Sequence, residues 1–164
     1  MKRQVFFSFH YEEDCWRVQQ VKNMGVVEDS TPLLSGNEWE EVKKSGDKAV
    51  EKWIDDNMKY RSCVVVLVGS KTAGRKWVKY EIEKAWNDGK GVVGIYIHNL
   101  KDASGEQSTK GRNPFEDFNV DGVKLSEIVK CYDPPFITST YVYDDIKENI
   151  ENLVEKAIEI RSRY

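Results

Sequence analysis

Two stretches far apart in the chain carry the residues best placed for chemistry. The first is Ser8-Phe9-His10-Tyr11, which closes an apolar run beginning at Val5. The second is Arg75-Lys76-Trp77-Val78-Lys79-Tyr80-Glu81-Ile82. Within it Trp77 and Glu81 stand four residues apart, so on a helix one lies above the other on the same face. That face is rotated from the apolar face of Val78, Ile82 and Ala85, which puts Glu81 at the edge of the core. The pair offers a carboxylate beside a flat aromatic platform, the equipment of a ligand site. Spacing alone also fits a surface glutamate paired with Lys79 or Lys84 and a tryptophan packed in the core.

The elements that must position these residues can be read from periodicity. Val5–Phe9 is strand-like. Glu12, Glu13 and Asp14 suit the positive end of a helix starting near Asp14, which carries Trp16, Val18 and Val21 toward Met24. Gly25–Trp39, with Pro32, Gly36 and Asn37, reads as irregular, with Val26-Val27 as a short second strand. Glu40–Tyr60 reads as one helix through Ala49, Trp53, Ile54 and Met58. Cys63–Val68 is apolar without alternation, as in a central parallel strand covered on both faces. Gly69–Gly74 turns the chain into a helix over Lys76–Asp88, and Gly91–Ile97 is a further buried strand. Asn99–Lys130 is polar and turn-rich, with one helical turn near Leu125–Val129. Ser139 or Thr140 caps a final helix with Ile146, Ile150, Leu153, Val154, Ala157 and Ile158 in one stripe.

Strands alternating with helices predict a flavodoxin-like α/β fold, a central parallel sheet with helices on both faces. Residues 1–164 read as one domain, with 99–138 as an insertion and 139–163 as a C-terminal helix. In an open sheet of order 2-1-3-4-5, ligands bind outside the carboxyl ends of the strands, where the order reverses between the first and third. The segment Ser8–Tyr11 and the helix of Trp77 and Glu81 are therefore expected to face each other across one cleft.

Other chemistries fit less well. Gly89-Lys90-Gly91-Val92-Val93-Gly94 matches G-x-G-x-x-G as a string, but it lies between a helix and a strand, the reverse of a dinucleotide-binding turn. Gly69–Lys76 has the strand–loop–helix setting of a phosphate loop, yet Arg75-Lys76 stand where Lys and a Mg²⁺-binding hydroxyl are needed. Cys15, Cys63 and Cys131 are odd in number, widely spaced and free of any C-x-x-C, so free thiols in a reducing compartment are expected rather than disulfides or zinc. A net charge of −3, with basic residues scattered among acidic ones, argues against nucleic acid or anionic membrane as partners. The N-terminal apolar run is too short for a signal peptide and Val64–Val68 and Val92–Ile97 are strand-length, so a cytoplasmic location is expected. His10 and His98, each ending a strand, read first as solvated or hydrogen-bonded side chains. Trp39, Trp53 and Trp86 read as packing residues, with Trp39 able to close over the site.

Taken in order, five motifs carry a family resemblance. VFFSFHYEED resembles the first-strand motif of TIR domains, and VVVLVGS followed by RKWVKYEI resembles their third strand and W-x-x-x-E helix. Together with NEWEEVKK, GVVGIYIH and GRNPFEDF, the chain more closely resembles the TIR-like proteins of the Thoeris antiphage defence system. The resemblance implies cleavage of the nicotinamide–ribose bond of NAD⁺ and release of a cyclic ADP-ribose isomer. It also implies an unidentified phage-derived trigger, a downstream effector reached by that diffusible signal, and TIR–TIR self-association. NAD⁺ is then a substrate, and no cofactor or metal is expected. The catalytic glutamate of W-x-x-x-E falls at Glu81. Substrate-binding positions fall at Phe9, His10 and Tyr11, with Ser8 at the strand end and Trp77 on the helix; His10 replaces the arginine of many TIR enzymes. The BB loop that closes the family's pocket falls within Gly25–Gly46. A non-enzymatic TIR interaction module and a deoxyribosyltransferase-like enzyme with Glu81 as nucleophile are the alternative expectations.

Overall fold

The structure is a computed structural model that describes residues 2–29, 31 and 36–164. Its elements run β1 (Val5–Ser8), α1 (Tyr11–Lys22), α2 (Gly36–Lys44), α3 (Asp47–Met58), β2 (Cys63–Val68), α4 (Lys76–Asn87), β3 (Gly91–Tyr96), β4 (Asn119–Val120), β5 (Val123–Lys124), β6 (Cys131–Tyr132) and α5 (Ser139–Arg161). The main sheet has the order β1-β2-β3-β6 and is parallel throughout, as expected of the flavodoxin-like TIR-like fold. Ser8 pairs with Val66, and Gly94 with Cys131.

Every residue of β1, β2 and β3 is buried, and the two faces of the sheet divide them by parity. Val5, Phe7, Cys63, Val65 and Leu67 pack beneath α1 and α5, whose Val18, Val21, Ile146, Ile150 and Val154 complete one core. Phe6, Val64, Val66 and Val68 pack beneath α3 and α4 with Val50, Ile54, Met58, Val78, Ile82 and Ala85. Ser8 shares the parity of Phe6, so its hydroxyl points to the α4 side. The alternation thus brings a polar side chain from β1 within reach of the helix that follows β2.

Several boundaries differ from the sequence reading. Helix α1 begins at Tyr11 rather than near Asp14, because His10 serves as its N-cap, and Trp16 is 56 % exposed instead of turning to the core. Among the described residues the expected second strand is reduced to one parallel bridge between Gln4 and Glu28. Helix α2 occupies Gly36–Lys44, part of the span expected to be irregular, while Pro32 lies outside the described residues. The single helix expected over Glu40–Tyr60 is two helices, broken at Gly46, whose φ of 95° no right-handed helix accommodates. The polar segment from Asn99 holds the β4–β5 hairpin, a 3₁₀ turn at Leu125–Glu127 and the edge strand β6, and it buries Phe115 and Leu125 against the α4 face. The cysteines are free, with Cys63 buried and Cys15 and Cys131 half-buried. Among the described residues no helix is long and apolar enough to cross a membrane.

Candidate active site

Glu81 lies on the α4 flank that faces β1. It is only 8 % exposed, and the Ser8 hydroxyl donates to its Oε1 at 2.7 Å. Burial pushes the Glu81 carboxyl up to about 8; the Ser8 hydrogen bond pulls against this, and the charge of Asp29 adds to it. Near neutral pH the Glu81 carboxyl therefore favours its protonated form, and a cation beside it favours release of that proton. If Ser8 is replaced by alanine, the hydroxyl that favours the ionised form is gone. The Glu81 midpoint is expected to move above about 8 in a ¹³C carboxyl NMR titration. An unmoved midpoint would mean that the Ser8 contact does not govern this acid.

Glu81 opens onto a cleft lined by Phe6, Phe7, Phe9, Tyr11, Val18, Lys22, Asp29, Thr31, Trp39, Trp53 and Trp77. The lining draws on both sheet faces because β1 is the edge strand and the bridged segment beside it ends at Glu28. Phe9 and Tyr11 stack with centroids 6.0 Å apart, Tyr11 and Trp39 at 6.2 Å, and Trp39 meets Trp53 edge-on at 5.8 Å. These rings leave a cavity of about 70 Å³, far below the roughly 300–1,000 Å³ of sites that enclose small molecules. Trp77 is wedged against Tyr80, whose hydroxyl donates to Asp55 at 2.8 Å, and Lys76 sits over the Trp77 ring at 4.9 Å.

Of the residues singled out from sequence, the structure brings Phe9, Tyr11, Trp77 and Glu81 together on the cleft, and Ser8 joins them through Glu81. His10 does not join them. Its Nδ1 accepts the Glu13 N–H at 3.2 Å as the cap of α1, and the ring is absent from the cleft wall. Burial and the nearby Arg75 charge hold its pKa below the ordinary 6.5, so it supplies no standing cation for a phosphate. His98 lies away from the cleft at the end of β3, edge-on to Tyr96 at 6.0 Å. Trp39 lines the cleft between Tyr11 and Trp53, and Trp53, expected only to pack, also forms its wall. Lys22, Asp29 and Thr31 escaped the sequence reading. Lys22 Nζ donates to the Thr31 carbonyl, and Asp29 is gripped by Arg61 at 3.0 Å. The one sequence signal for them is the pair Val26-Val27, which marks where a chain beside β1 would end.

A parallel sheet in this order, with a glutamate from the helix after β2 meeting the end of edge strand β1, defines a TIR-like domain. Residues 6–102 match the family described as Thoeris protein ThsB, TIR-like domain. The chain is also 36 % identical over 133 residues, 76 % of its length and 69 % of the relative's, to a Bacillus cereus (strain MSX-D12) protein named "Putative cyclic ADP-D-ribose synthase ThsB1". The chain belongs to the ThsB TIR-like family of Thoeris proteins.

Proposed function

We propose that this protein is an antiphage-defence enzyme that cleaves NAD⁺ at the nicotinamide–ribose bond. The remaining ADP-ribose closes into a cyclic isomer that diffuses to a partner effector. The observation that carries this reading is the buried Glu81 carboxyl, held by Ser8 inside a cleft walled by aromatic rings. The relative's name points the same way.

The chemistry follows from those groups. The nicotinamide ring of NAD⁺ is cationic, so stacking it on Tyr11, Phe9 or Trp77 brings positive charge to Glu81 and favours the carboxylate. As the glycosidic C–N bond breaks, its electron pair leaves with nicotinamide, which departs neutral and needs no general acid. The positive charge moves onto the ribose, where the Glu81 carboxylate stabilises it. Aromatic walls exclude water, leaving a nucleophile of the same molecule to form the new bond to the anomeric carbon. If that nucleophile is a hydroxyl, its proton passes to Glu81.

The test is mass spectrometry of small-molecule extracts from phage-infected cells carrying either the natural protein or Glu81→Gln. A species of ADP-ribose mass, lighter by water for a cyclic isomer, is expected only with the natural protein, together with released nicotinamide. Identical extracts from both, with both proteins folded and defence triggered, would replace the enzyme by a TIR interaction module.

A further inference from the structure

The backbone ladder beside β1 stops abruptly. Val5 donates to the Glu28 carbonyl at 2.8 Å and Glu28 to the Arg3 carbonyl at 3.0 Å, as between parallel strands. Two residues further along β1 the donor is Phe7 N–H, and its acceptor is no longer a backbone carbonyl but the Asp29 side chain, Oδ2 at 3.0 Å. The other oxygen, Oδ1, accepts the Thr31 N–H at 2.8 Å and Arg61 Nη1 at 3.0 Å. Arg61 also donates to the Val5 carbonyl at 2.7 Å and to Thr31 Oγ1 at 3.3 Å. A carboxylate has thus taken the place of the next strand residue. Beyond this bond Asp29 and Thr31 join Phe6, Phe7 and Phe9 in lining the cleft.

We propose that Asp29, locked by Arg61 and by the Phe7 and Thr31 N–H groups, is the positioning residue of this site: it fixes the end of the backbone ladder beside β1 and sets the charge that Glu81 feels. This rests on the enzymatic reading above. Asp29 is 9 % exposed and lines the same cleft as Glu81. The charged and titratable groups facing Glu81 from the neighbouring elements are Tyr11 and Lys22 of α1 and Asp29 with its partner Arg61, while α2 and α3 present Trp39 and Trp53. Asp29 is the one carboxylate among them in the described residues, and two carboxylates sharing a low-dielectric cleft resist joint ionisation. The pair therefore favours a neutral Glu81, and a cationic ring lying between the two carboxyl groups favours an ionised one.

The test is a ¹³C carboxyl NMR titration of the full chain, with the Glu81 signal assigned by its loss in Glu81→Gln. In Asp29→Asn the amide oxygen still accepts the Phe7 N–H, but the charge is gone. The Glu81 midpoint is expected to fall by about half a pH unit or more, roughly a threefold rise in carboxylate at fixed pH. This is opposite in sign to Ser8→Ala, and a purely structural residue would not produce it. Should Asp29→Asn leave Arg61 too poorly compensated to fold, Asp29→Asn/Arg61→Gln removes both charges while keeping hydrogen-bonding groups, and a smaller fall of the same sign is expected, because the guanidinium beside the lost carboxylate is gone too. A folded variant with an unmoved midpoint overturns the proposal. Turnover of NAD⁺ against pH, in extracts from triggered cells, is expected to show the acid limb displaced by the same amount, with a lowered kcat. If the natural protein consumes no NAD⁺ there, the enzymatic reading fails, while the NMR midpoints still decide whether Asp29 controls Glu81.

Discussion

Glu81→Gln is expected to reduce the proposed NAD⁺ cleavage by on the order of 10³-fold or more and, above pH 8, to make the folded protein more stable. Both effects come from one fact, the burial of a carboxyl that must ionise to act. Glutamine keeps the shape and can still accept from Ser8, but it offers no anion to a ribose cation. The stability effect has a definite sign. The folded carboxyl titrates at about 8 against an ordinary 4.5, so between those values the folded state holds a proton that the unfolded chain has released. Stability contributed by that proton is present below about pH 4.5 and is lost as pH rises through about 8. Glutamine has nothing to lose. The two proteins are therefore expected to melt together near pH 4.5 and to separate progressively, reaching a gap of ~5 kcal/mol, or roughly 10–20 °C in Tm, at pH 9. Calorimetry at three pH values checks this. Parallel pH profiles for the two proteins would mean that Glu81 is not the buried acid. Loss of activity joined to a gain in stability is the behaviour of a residue retained for function against its own folding cost.

How much of this site the sequence reveals depends on whether a residue acts through periodicity or through a single bond. Trp77 and Glu81 are visible because α4 repeats its apolar face through Val78, Ile82 and Ala85, so the flank bearing the pair can be placed by counting. Their meeting with the end of β1 follows from strand order, since the continuous run Cys63–Val68 can only be an interior strand and Val5–Ser8 pairs beside it. His10 is harder to read because histidine is not among the usual N-caps, so the acidic trio after it draws the eye to a later helix start. The break at Gly46 is hidden by apolar spacing that continues across it from Trp39 and Val42 to Trp53. Asp29 leaves almost no trace, for Asp-Ser-Thr-Pro has the composition of any turn. What distinguishes it is a side chain standing in for a backbone carbonyl, and no periodicity records that. A two-residue strand such as β6 is likewise shorter than any repeat that could announce it.

The second large effect is expected at Gly69→Ala, a substitution outside the cleft that should lower Tm by roughly 10 °C or more and disable the site with it. Gly69 follows the last residue of β2, and a methyl group there would stand 2.1 Å from Asp14 Oδ2 and 2.6 Å from its Cγ. Its backbone is not left-handed, so the strain is steric. Asp14 cannot yield easily. It is 1 % exposed and paired with Arg17 at 3.0 Å, and Arg17 is itself anchored to the carbonyls of Leu100 at 2.8 Å and Glu106 at 2.9 Å. Gly111 also packs against this turn, where an added methyl on it would come within 2.3 Å of the Gly69 carbonyl. The methyl must therefore split or shift a buried ion pair, a disruption of about 3–5 kcal/mol when one partner is lost. The damage reaches Glu81 because the turn into α4 starts here: Gly69 N–H donates to Thr72 Oγ1 at 2.8 Å, and the Thr72 carbonyl accepts from Arg75, the residue before α4. Displacing that turn rotates Trp77 and Glu81 away from Ser8. A double-mutant cycle with Asp14→Ala separates steric from other causes. Removing the carboxylate costs stability by leaving Arg17 without its ion-pair partner, but it also removes the obstacle, so the combined loss is expected to be clearly smaller than the sum of the two single losses. Strict additivity would mean that the carboxylate of Asp14 is not what excludes a side chain at position 69.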